Sequence, residues 1–381
     1  MKLIQLNNPR QLVIGEGSLE RFFNDFKSKS FRQLYILSIP AVRSLYQKYI
    51  DDLVDNGISV RVNEQITAEP SFIEVEAILA EACAFGADAV VGIGGGSVLD
   101  AAKFVAAQIG NDQTSAEVIG IGNLKGRNVW MACLPTTAGT GSEVSPNAIF
   151  LDTVDHEKKG VISPYLVPDA AYIDPLLTVG VPPTVTAFTG IDAFTHCLEA
   201  FINRFAHPLT DRLALDGMQL IFKNLKKAYD NGNDLEARAA VALGSVYGGM
   251  CLGPVNTAAV HALAYPLGSK YKVAHGLSNA VMLPYVLEFN LPAATERFAL
   301  LAMNLGIEAN GGNEELAAAA IVAVRNWIES MGISLRLSTL NIPENSLEEI
   351  AASALKVQRL LRNNVREVGF DDALAIYKKA Y

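Results

Sequence analysis

Asp192 and His196 stand four positions apart in "GIDAFTHCLEAF", residues 190–201, near the head of what reads as a buried helix. That spacing puts both side chains on one helix face, one above the other. Burying either group without a partner costs several kcal/mol, so the pair calls for a third party. Two more histidines fall in apolar surroundings: His261 in a second helix, "AAVHALAYPLG", and His275 in "KVAHGLSNAVMLP", just before a third. One carboxylate and three imidazoles from separate elements form a donor set for one divalent cation. Nitrogen donors suit Zn²⁺ or Fe²⁺ and not an all-oxygen Mg²⁺ site. Four such ligands leave room for a fifth, a substrate oxygen. Taken singly each group has a plainer reading, a hydrogen-bonded core histidine or, for Asp192 after "FTG", a helix N-cap; together they favour the cation. His156 in "VDHEKKG" and His207 in "RFAHPLTD" lie in polar turns and are expected to be ordinary surface residues.

Two glycine-rich loops offer a different chemistry. "DAVVGIGGGSVLDAAKFVAAQIG" reads as a buried strand, a glycine turn and a helix opening at Ser97, with Asp100 three residues on in a capping-box-like start. Gly94, Gly95 and Gly96 leave backbone amides bare at the positive end of that helix, where a phosphate would sit well. The alternative is a tight turn that needs positive φ and binds nothing. The G-x-G-x-x-G dinucleotide fingerprint is not met, so this is no ordinary Rossmann loop. A second loop, "LPTTAGTGSEVSPNA" (134–148), alternates hydroxyls with glycines: Thr136, Thr137, Thr140 and Ser142. It would read as a solvent loop by itself. Beside the first loop, at the carboxyl end of a sheet, it suggests one extended phosphate-bearing ligand.

The elements that must position these residues change character along the chain. Strand-like runs, "QLYILS" (33–38), "DAVVGIG" (88–94) and "VWMACLP" (129–135), alternate with amphipathic stretches such as "SFIEVEAILAEACAFG", which predicts a doubly wound parallel α/β sheet. From about residue 183 the pattern is helical only, as in "ALDGMQLIFKNLKKAYDNG" and "EELAAAAIVAVRNWIESMG". The turn-rich "LLTVGVPPTV" (176–185) marks the boundary, giving domains 1–180 and 181–381.

The 381 residues are half hydrophobic with a formal net charge of -9 spread without long runs, which disfavours nucleic acid or an anionic membrane and points to small molecules. Cys83, Cys133, Cys197 and Cys251 are far apart in apolar contexts, as in a reducing compartment. With no secretory or membrane-spanning apolar run, a cytoplasmic protein is expected.

Together "GGGSVLDAAK", "LPTTAGTGSEVSP", "GIDAFTHCLEAF" and "HALAYPLGSKYKVAHGLSNAVMLPYVLEFN" resemble the iron-containing (group III) alcohol dehydrogenase family, from about residue 12 to beyond 290. The resemblance implies an α/β dinucleotide-binding N-terminal domain and an all-α metal-binding C-terminal domain, the dehydroquinate synthase-like architecture. It implies NAD or NADP and a divalent metal, Fe²⁺ first and Zn²⁺ second, acting on a small alcohol or aldehyde. It maps the metal ligands onto Asp192, His196, His261 and His275, and the pyrophosphate loop onto Gly95, Gly96 and Ser97 with Asp100 following. The nicotinamide-side loop falls on Thr136, Thr137 and Thr140, and a family lysine near the cofactor on Lys158, with Lys159 adjacent. Family members self-associate, so a homo-oligomer, dimer or larger, is implied.

Two departures stand out. The aspartate that many NAD-preferring members carry after the second strand is absent from "YILSIPAV"; Ser38, Ile39 and Arg43 leave NADP open. Many members also have a histidine four residues after the third ligand where this chain has Tyr265, either a relaying phenol or a packed aromatic. The rival readings are a sugar-phosphate dehydrogenase or dehydroquinate synthase-like lyase on the same fold, and a metal- or nucleotide-binding scaffold without catalysis. The lyase needs clustered Lys and Arg for its anionic substrate, and only Lys270 and Lys272 lie between His261 and His275.

Overall fold

Strands covered by helices on both faces read as unbroken apolar runs. Three such runs form the middle of a six-stranded sheet in the computed structural model, which describes residues 3–154 and 157–381; His156 lies outside the described residues. In chain order the first half contains β1 (Gln11–Ile14), α1 (Ser18–Lys27), β2 (Gln33–Ser38), α2 (Arg43–Asp55), β3 (Ser59–Asn63), α3 (Phe72–Phe85), β4 (Ala89–Gly94), α4 (Gly96–Gln108), α5 (Ser115–Val118), β5 (Gly120–Ile121), β6 (Trp130–Pro135), β7 (Asn147–Asp152), β8 (Glu157–Ile162) and β9 (Ala170–Ile173). The large sheet runs β1-β9-β6-β4-β2-β3, parallel throughout, and β5, β8 and β7 make a small second sheet.

Alternation along each strand divides the core in two. Leu34, Ile36, Val91 and Ile93 pack with Phe22, Phe23 and Phe26 of α1 and with Tyr46 and Leu53 of α2. Tyr35, Leu37, Val90 and Met131 pack with Val75 and Ile78 of α3 and with Phe104 and Val105 of α4. Helices thus cover both faces, and the sheet is doubly wound. After β2 the chain steps outward to β3, then returns to the other side of β2 for β4. The carboxyl ends of β2 and β4, where Ser38 pairs with Ile93, are therefore the topological switch point at which such sheets bind ligands.

Helix α3 shows how the local sequence sets its own ends. Ser71 Oγ accepts from the Glu74 amide, Glu74 accepts in return from the Ser71 amide, and Gly86 closes the helix at φ 77°. Helix α4 does not follow the same rule, which corrects the capping expected of Ser97 and Asp100. The helix starts at Gly96 with Gly95 as N-cap and no side-chain cap. The Asp100 carboxylate turns instead to the Ser142 hydroxyl (2.5 Å) and the Ile149 amide (2.9 Å), with Lys103 Nζ at 3.6 Å. The reason is electrostatic. Lys103 is fully buried, donating to Ser142 O (2.9 Å), Ser142 Oγ (2.8 Å) and Ser145 O (3.2 Å), and its ammonium needs a counter-charge inside the protein. Neighbouring Glu143 is buried too, and burial pushes its carboxyl up to about 7.

Residues Leu6–Val181 form one compact unit; Pro182–Tyr381, with residues 3–5, form the other. The second contains α6 (Pro183–Phe201), α7 (Pro208–Asp230), α8 (Leu235–Leu252), α9 (Ala259–Tyr271), α10 (His275–Leu305), α11 (Asn313–Glu329), α12 (Leu347–Ala354), α13 (Gln358–Leu361) and α14 (Phe370–Ala380). Helix α6 opens with proline at N1, where a missing amide hydrogen costs nothing. From Gly190 to Phe201 it is buried on every side, so it is the central helix of this unit. Small residues let its neighbours approach. A Cβ on Gly248 of α8 would lie 3.1 Å from Ala193 O, and one on Gly276 of α10 would lie 2.2 Å from Phe188 O.

His207 is a correction. It is 7% exposed and serves as the N-cap of α7, its Nδ1 accepting from the Leu209 amide at 3.2 Å, because the orphan amides of a helix end need an acceptor. Cys83 is another. It is exposed on α3, while Cys133, Cys197 and Cys251 are buried, and all four are free thiols.

Two outcomes are expected. Gly276→Ala drives a methyl into a backbone carbonyl that cannot move aside, so it lowers stability by about 1–3 kcal/mol despite its better helix propensity; a melting temperature at or above wild type would show that the α6–α10 contact yields freely. Glu143 ionises later in the folded protein than in the unfolded chain, so its own contribution to stability falls as pH rises from about 4.5 to about 7. Glu143→Gln escapes that loss, worth up to about 3 kcal/mol. Melts at pH 4.5 and 7.5 check this, since the variant's advantage must widen with pH.

Candidate metal centre

Three helices carry the donor set. Asp192 and His196 lie one turn apart within α6, and because that helix begins at Pro183 neither sits at its head and Asp192 is not an N-cap. His261 is in the first turn of α9, and His275 is the first residue of α10. Asp192 Oδ1 lies 3.4 Å from His261 Nε2, 3.5 Å from His275 Nε2 and 3.8 Å from His196 Nε2. A tetrahedral cation with bonds near 2.1 Å holds its ligand atoms ~3.4 Å apart, so these separations have the size of a shared coordination sphere. The donor atoms of Asp192, His261 and His275 all lie within 4.8 Å of one another. His196 stands beside this trio rather than within it, its ring stacked on that of His261 with centroids 4.7 Å apart.

The surroundings fit a cation as well. Asp192, His196 and His261 are all buried, at 2%, 5% and 3% exposure. Burial works against the Asp192 carboxylate, but His196, His275 and His261 outweigh it and hold its pKa well below the usual range. Burial likewise opposes charge on His261; the Glu199 carboxylate, helped by Asp192, overcomes it and raises the imidazole to about 10. Asn279 Nδ2 donates to Asp192 Oδ1 at 2.6 Å and lies 3.1 Å from His261 Nε2, while its Oδ1 is buried without a hydrogen-bond partner. An orphaned acceptor beside a carboxylate and three imidazoles marks a polar island in an apolar interior. Those residues suit a divalent ion.

Sequence reasoning missed three residues here. Glu199 accepts from the Val260 amide and binds His261 Nδ1, both at 2.6 Å. Its signal was available, since 192, 196 and 199 follow the helical repeat along one face of α6. Asn279 stands in the same relation to His275, one turn on. Arg359 of α13 carried no local signal; its Nη2 donates to Tyr265 Oη at 3.0 Å. Tyr265 is 8% exposed, with its ring centroid 6.0 Å from that of His275.

In the α/β unit the two loops meet. Thr136 donates its amide to Gly94 O at 2.9 Å. A Cβ on Gly96 would lie 2.4 Å from Thr140 Cγ2, and one on Gly95 3.4 Å from Thr137 Oγ1. None of Gly94, Gly95 and Gly96 has positive φ, so close approach, not a left-handed turn, calls for glycine there. Gly95, Gly96, Ser97, Thr137 and Thr140 are half-buried at the amino end of α4, whereas Gly94 and Thr136 are buried. The structure does not bring every expected residue to that place. The Ser38 hydroxyl donates to Ile93 O (2.8 Å), and Asp100 faces Ser142 and Lys103. The Lys158 side chain is buried in an ion pair with Glu69 (2.5 Å), and Glu69 lines a pocket of about 220 Å³ between residues 65–70 and α3. Lys159 pairs with Asp152 at 2.6 Å, and Arg43 is engaged by Gln47 (2.6 Å) and Glu64 (3.6 Å).

Known proteins resemble this chain along nearly its whole length. Residues 9–175 match the family described as iron-containing alcohol dehydrogenase, and residues 186–381 match the Fe-containing alcohol dehydrogenase family, C-terminal. The long-chain-alcohol dehydrogenase 1 of Geobacillus thermodenitrificans is 35% identical, with 100% of this chain and 98% of that one aligned. The sulfoacetaldehyde reductase of Bilophila wadsworthia is 33% identical, with 96% of each chain covered. The crystal structure of a 1,3-propanediol oxidoreductase superposes with a TM-score of 0.95 over 100% of both chains, at 30% identity. The chain thus belongs to the iron-containing alcohol dehydrogenase family and is a metal-dependent, NAD(P)-linked alcohol dehydrogenase or aldehyde reductase.

Proposed function

We propose that Asp192, His196, His261 and His275 hold the divalent cation of an enzyme that interconverts a small alcohol and its aldehyde. The observation that carries this is the 3.4–3.8 Å spacing of three imidazole nitrogens around one buried carboxylate oxygen. A cation there supplies Lewis-acid polarisation of the alcohol or carbonyl oxygen, and the nicotinamide supplies or accepts the hydride. The chain's own share is to place and to shield. Asp192 offers a carboxylate that stays ionised, His261 is oriented from behind by Glu199, and the bulk of α6, α9 and α10 buries Asp192, His196 and His261 while His275 stays partly exposed.

In the α/β unit, the bare amides of Gly95, Gly96 and Ser97 at the start of α4, with the Thr137 and Thr140 hydroxyls, receive the pyrophosphate. Asp100 and Ser38 serve that loop indirectly, by fixing the elements behind it. Lys158 is paired with Glu69, which itself lines the pocket of about 220 Å³. The Tyr265 ring lies 6.0 Å, centroid to centroid, from that of His275, and Arg359 holds its oxygen in place.

The relatives' names span a long-chain alcohol, sulfoacetaldehyde and 1,3-propanediol, so they support the alcohol–aldehyde carbon as the common reacting centre and leave the remainder of the substrate to this chain's own pocket. A phosphorylated substrate is less favoured, because Lys270 is paired with Glu349 and Lys272 closes α9 at φ 58°. No helix among the described residues is long and apolar enough to cross a membrane. Free thiols support action in the cytoplasm, and a homo-oligomer, dimer or larger, is the proposed working form.

The test is a reduction screen of short aldehydes and 2-oxo compounds with NADH and NADPH, on metal-stripped protein reloaded with Fe²⁺ or Zn²⁺. Turnover is expected only after reloading. His261→Ala is expected to lose both cation retention and turnover while binding nucleotide near the wild-type level; a fully active His261→Ala enzyme would refute the assignment.

A further inference from the structure

Helix α9 begins without a side-chain cap of its own, since its N-cap residue is Ala258. The first amides of a helix need acceptors. One comes from another helix: Glu199 of α6 reaches across, its Oε1 accepting from the Val260 amide at 2.6 Å. The other oxygen of the same carboxylate, Oε2, lies 2.6 Å from His261 Nδ1. Glu199 is 1% exposed, so these two contacts account for both of its oxygens in a place where water does not compete. The far nitrogen of that imidazole, Nε2, is the atom that lies 3.4 Å from Asp192 Oδ1.

A carboxylate can only accept. With Glu199 against Nδ1, the proton of a neutral His261 must sit on Nδ1, and the Nε2 lone pair is then directed toward Asp192 and the cation position. We propose that Glu199 is a positioning residue that fixes the tautomer and orientation of His261, so that Nε2 is the atom offered to the cation. The inference rests on the reading of Asp192, His196, His261 and His275 as a cation site. It adds to that reading a reason for a second buried carboxylate one turn beyond His196, where a merely apolar helix would carry none.

Substitution by glutamine separates positioning from capping. Both partners of Glu199 present hydrogens, but a glutamine has one accepting and one donating end. The Val260 amide cannot stop donating, so it keeps the glutamine oxygen and the glutamine NH₂ faces Nδ1. The imidazole can answer by moving its proton to Nε2, and a protonated Nε2 does not bind a cation. Capping of α9 is preserved while the donor is lost.

Glu199→Gln is therefore expected to weaken Zn²⁺ and Co²⁺ binding on the order of 10–100-fold in chelator competition, and to change the visible spectrum of the Co²⁺ protein. The melting temperature of the metal-stripped variant should stay within a few degrees of stripped wild type. In parallel, ¹⁵N spectra of Zn²⁺-loaded wild type should show His261 protonated at Nδ1 and metal-bound at Nε2. Wild-type Zn²⁺ affinity and Co²⁺ spectrum in Glu199→Gln would overturn the positioning role and leave the cation site standing. Metal bound through Nδ1 in wild type would overturn it even if the variant failed to fold. Wild type that binds neither ion would overturn both this inference and the cation site itself.

Discussion

A carboxylate 2% exposed inside a helix that is buried on all sides is the condition the helical unit is arranged to meet. Asp192 can stay ionised there only if positive charge and donors crowd it, and no single element can supply them. Helices α9 and α10 must each bring a histidine to within 3.5 Å of its Oδ1. Such an approach limits what else may stand at the crossing points. Glycine at 276 lets the first turn of α10 touch the backbone of α6, and glycine at 248 lets α8 lie against Ala193 and the His196 Cβ. Packing and electrostatics are one problem here. The helices come close because the side chains between them are small, and the polar island tolerates burial because the helices come close.

The α/β unit solves a second buried-charge problem with different means. Lys103 has no solvent exposure at all, and its ammonium is met by backbone and hydroxyl oxygens of Ser142 and Ser145 with Asp100 alongside. These contacts tie α4 to the threonine-bearing loop that follows β6. The amino end of α4 is left uncapped by side chains, with Gly95 and Gly96 close enough to Thr137 and Thr140 that any Cβ at Gly96 would collide. Uncapped amides at the switch point of a parallel sheet are a place for an anion. The buried ion pair holds the loop from beneath while leaving that place open from above.

Legibility from the sequence followed the range of each interaction. The pairing of Asp192 with His196 is one turn of one helix, so spacing alone revealed it. The central strands announced themselves by unbroken apolar runs, and α3 by its own capping residues. Errors arose where the deciding partner is distant in sequence. Asp100 has the spacing of a cap, yet Lys103, Ser142 and Ile149 claim its oxygens. His207 sits in a polar stretch, yet it is drawn in to cap α7. Ser38 and Lys158 occupy positions that suggest ligand contact, and the structure adds partners the spacing did not show, Ile93 and Glu69. Glu199 and Asn279 lay one turn from recognised residues and could have been found by the same periodicity; Arg359, more than ninety residues from Tyr265, could not.

The sequence by itself determined which residue types could bind a divalent ion, where the α/β pattern yields to helices, and which loops leave glycine-bared amides after a strand. All of these are local properties, set by side-chain period, propensity and composition over a few turns. Only the tertiary structure decided that three of the four donors converge within 4.8 Å while His196 stands beside them, and which nitrogen of His261 faces Asp192. It also decided that Lys158 faces an acid. Those outcomes depend on how buried groups on different elements satisfy one another, and a desolvated charge selects its partner by distance in space, which spacing along the chain does not encode.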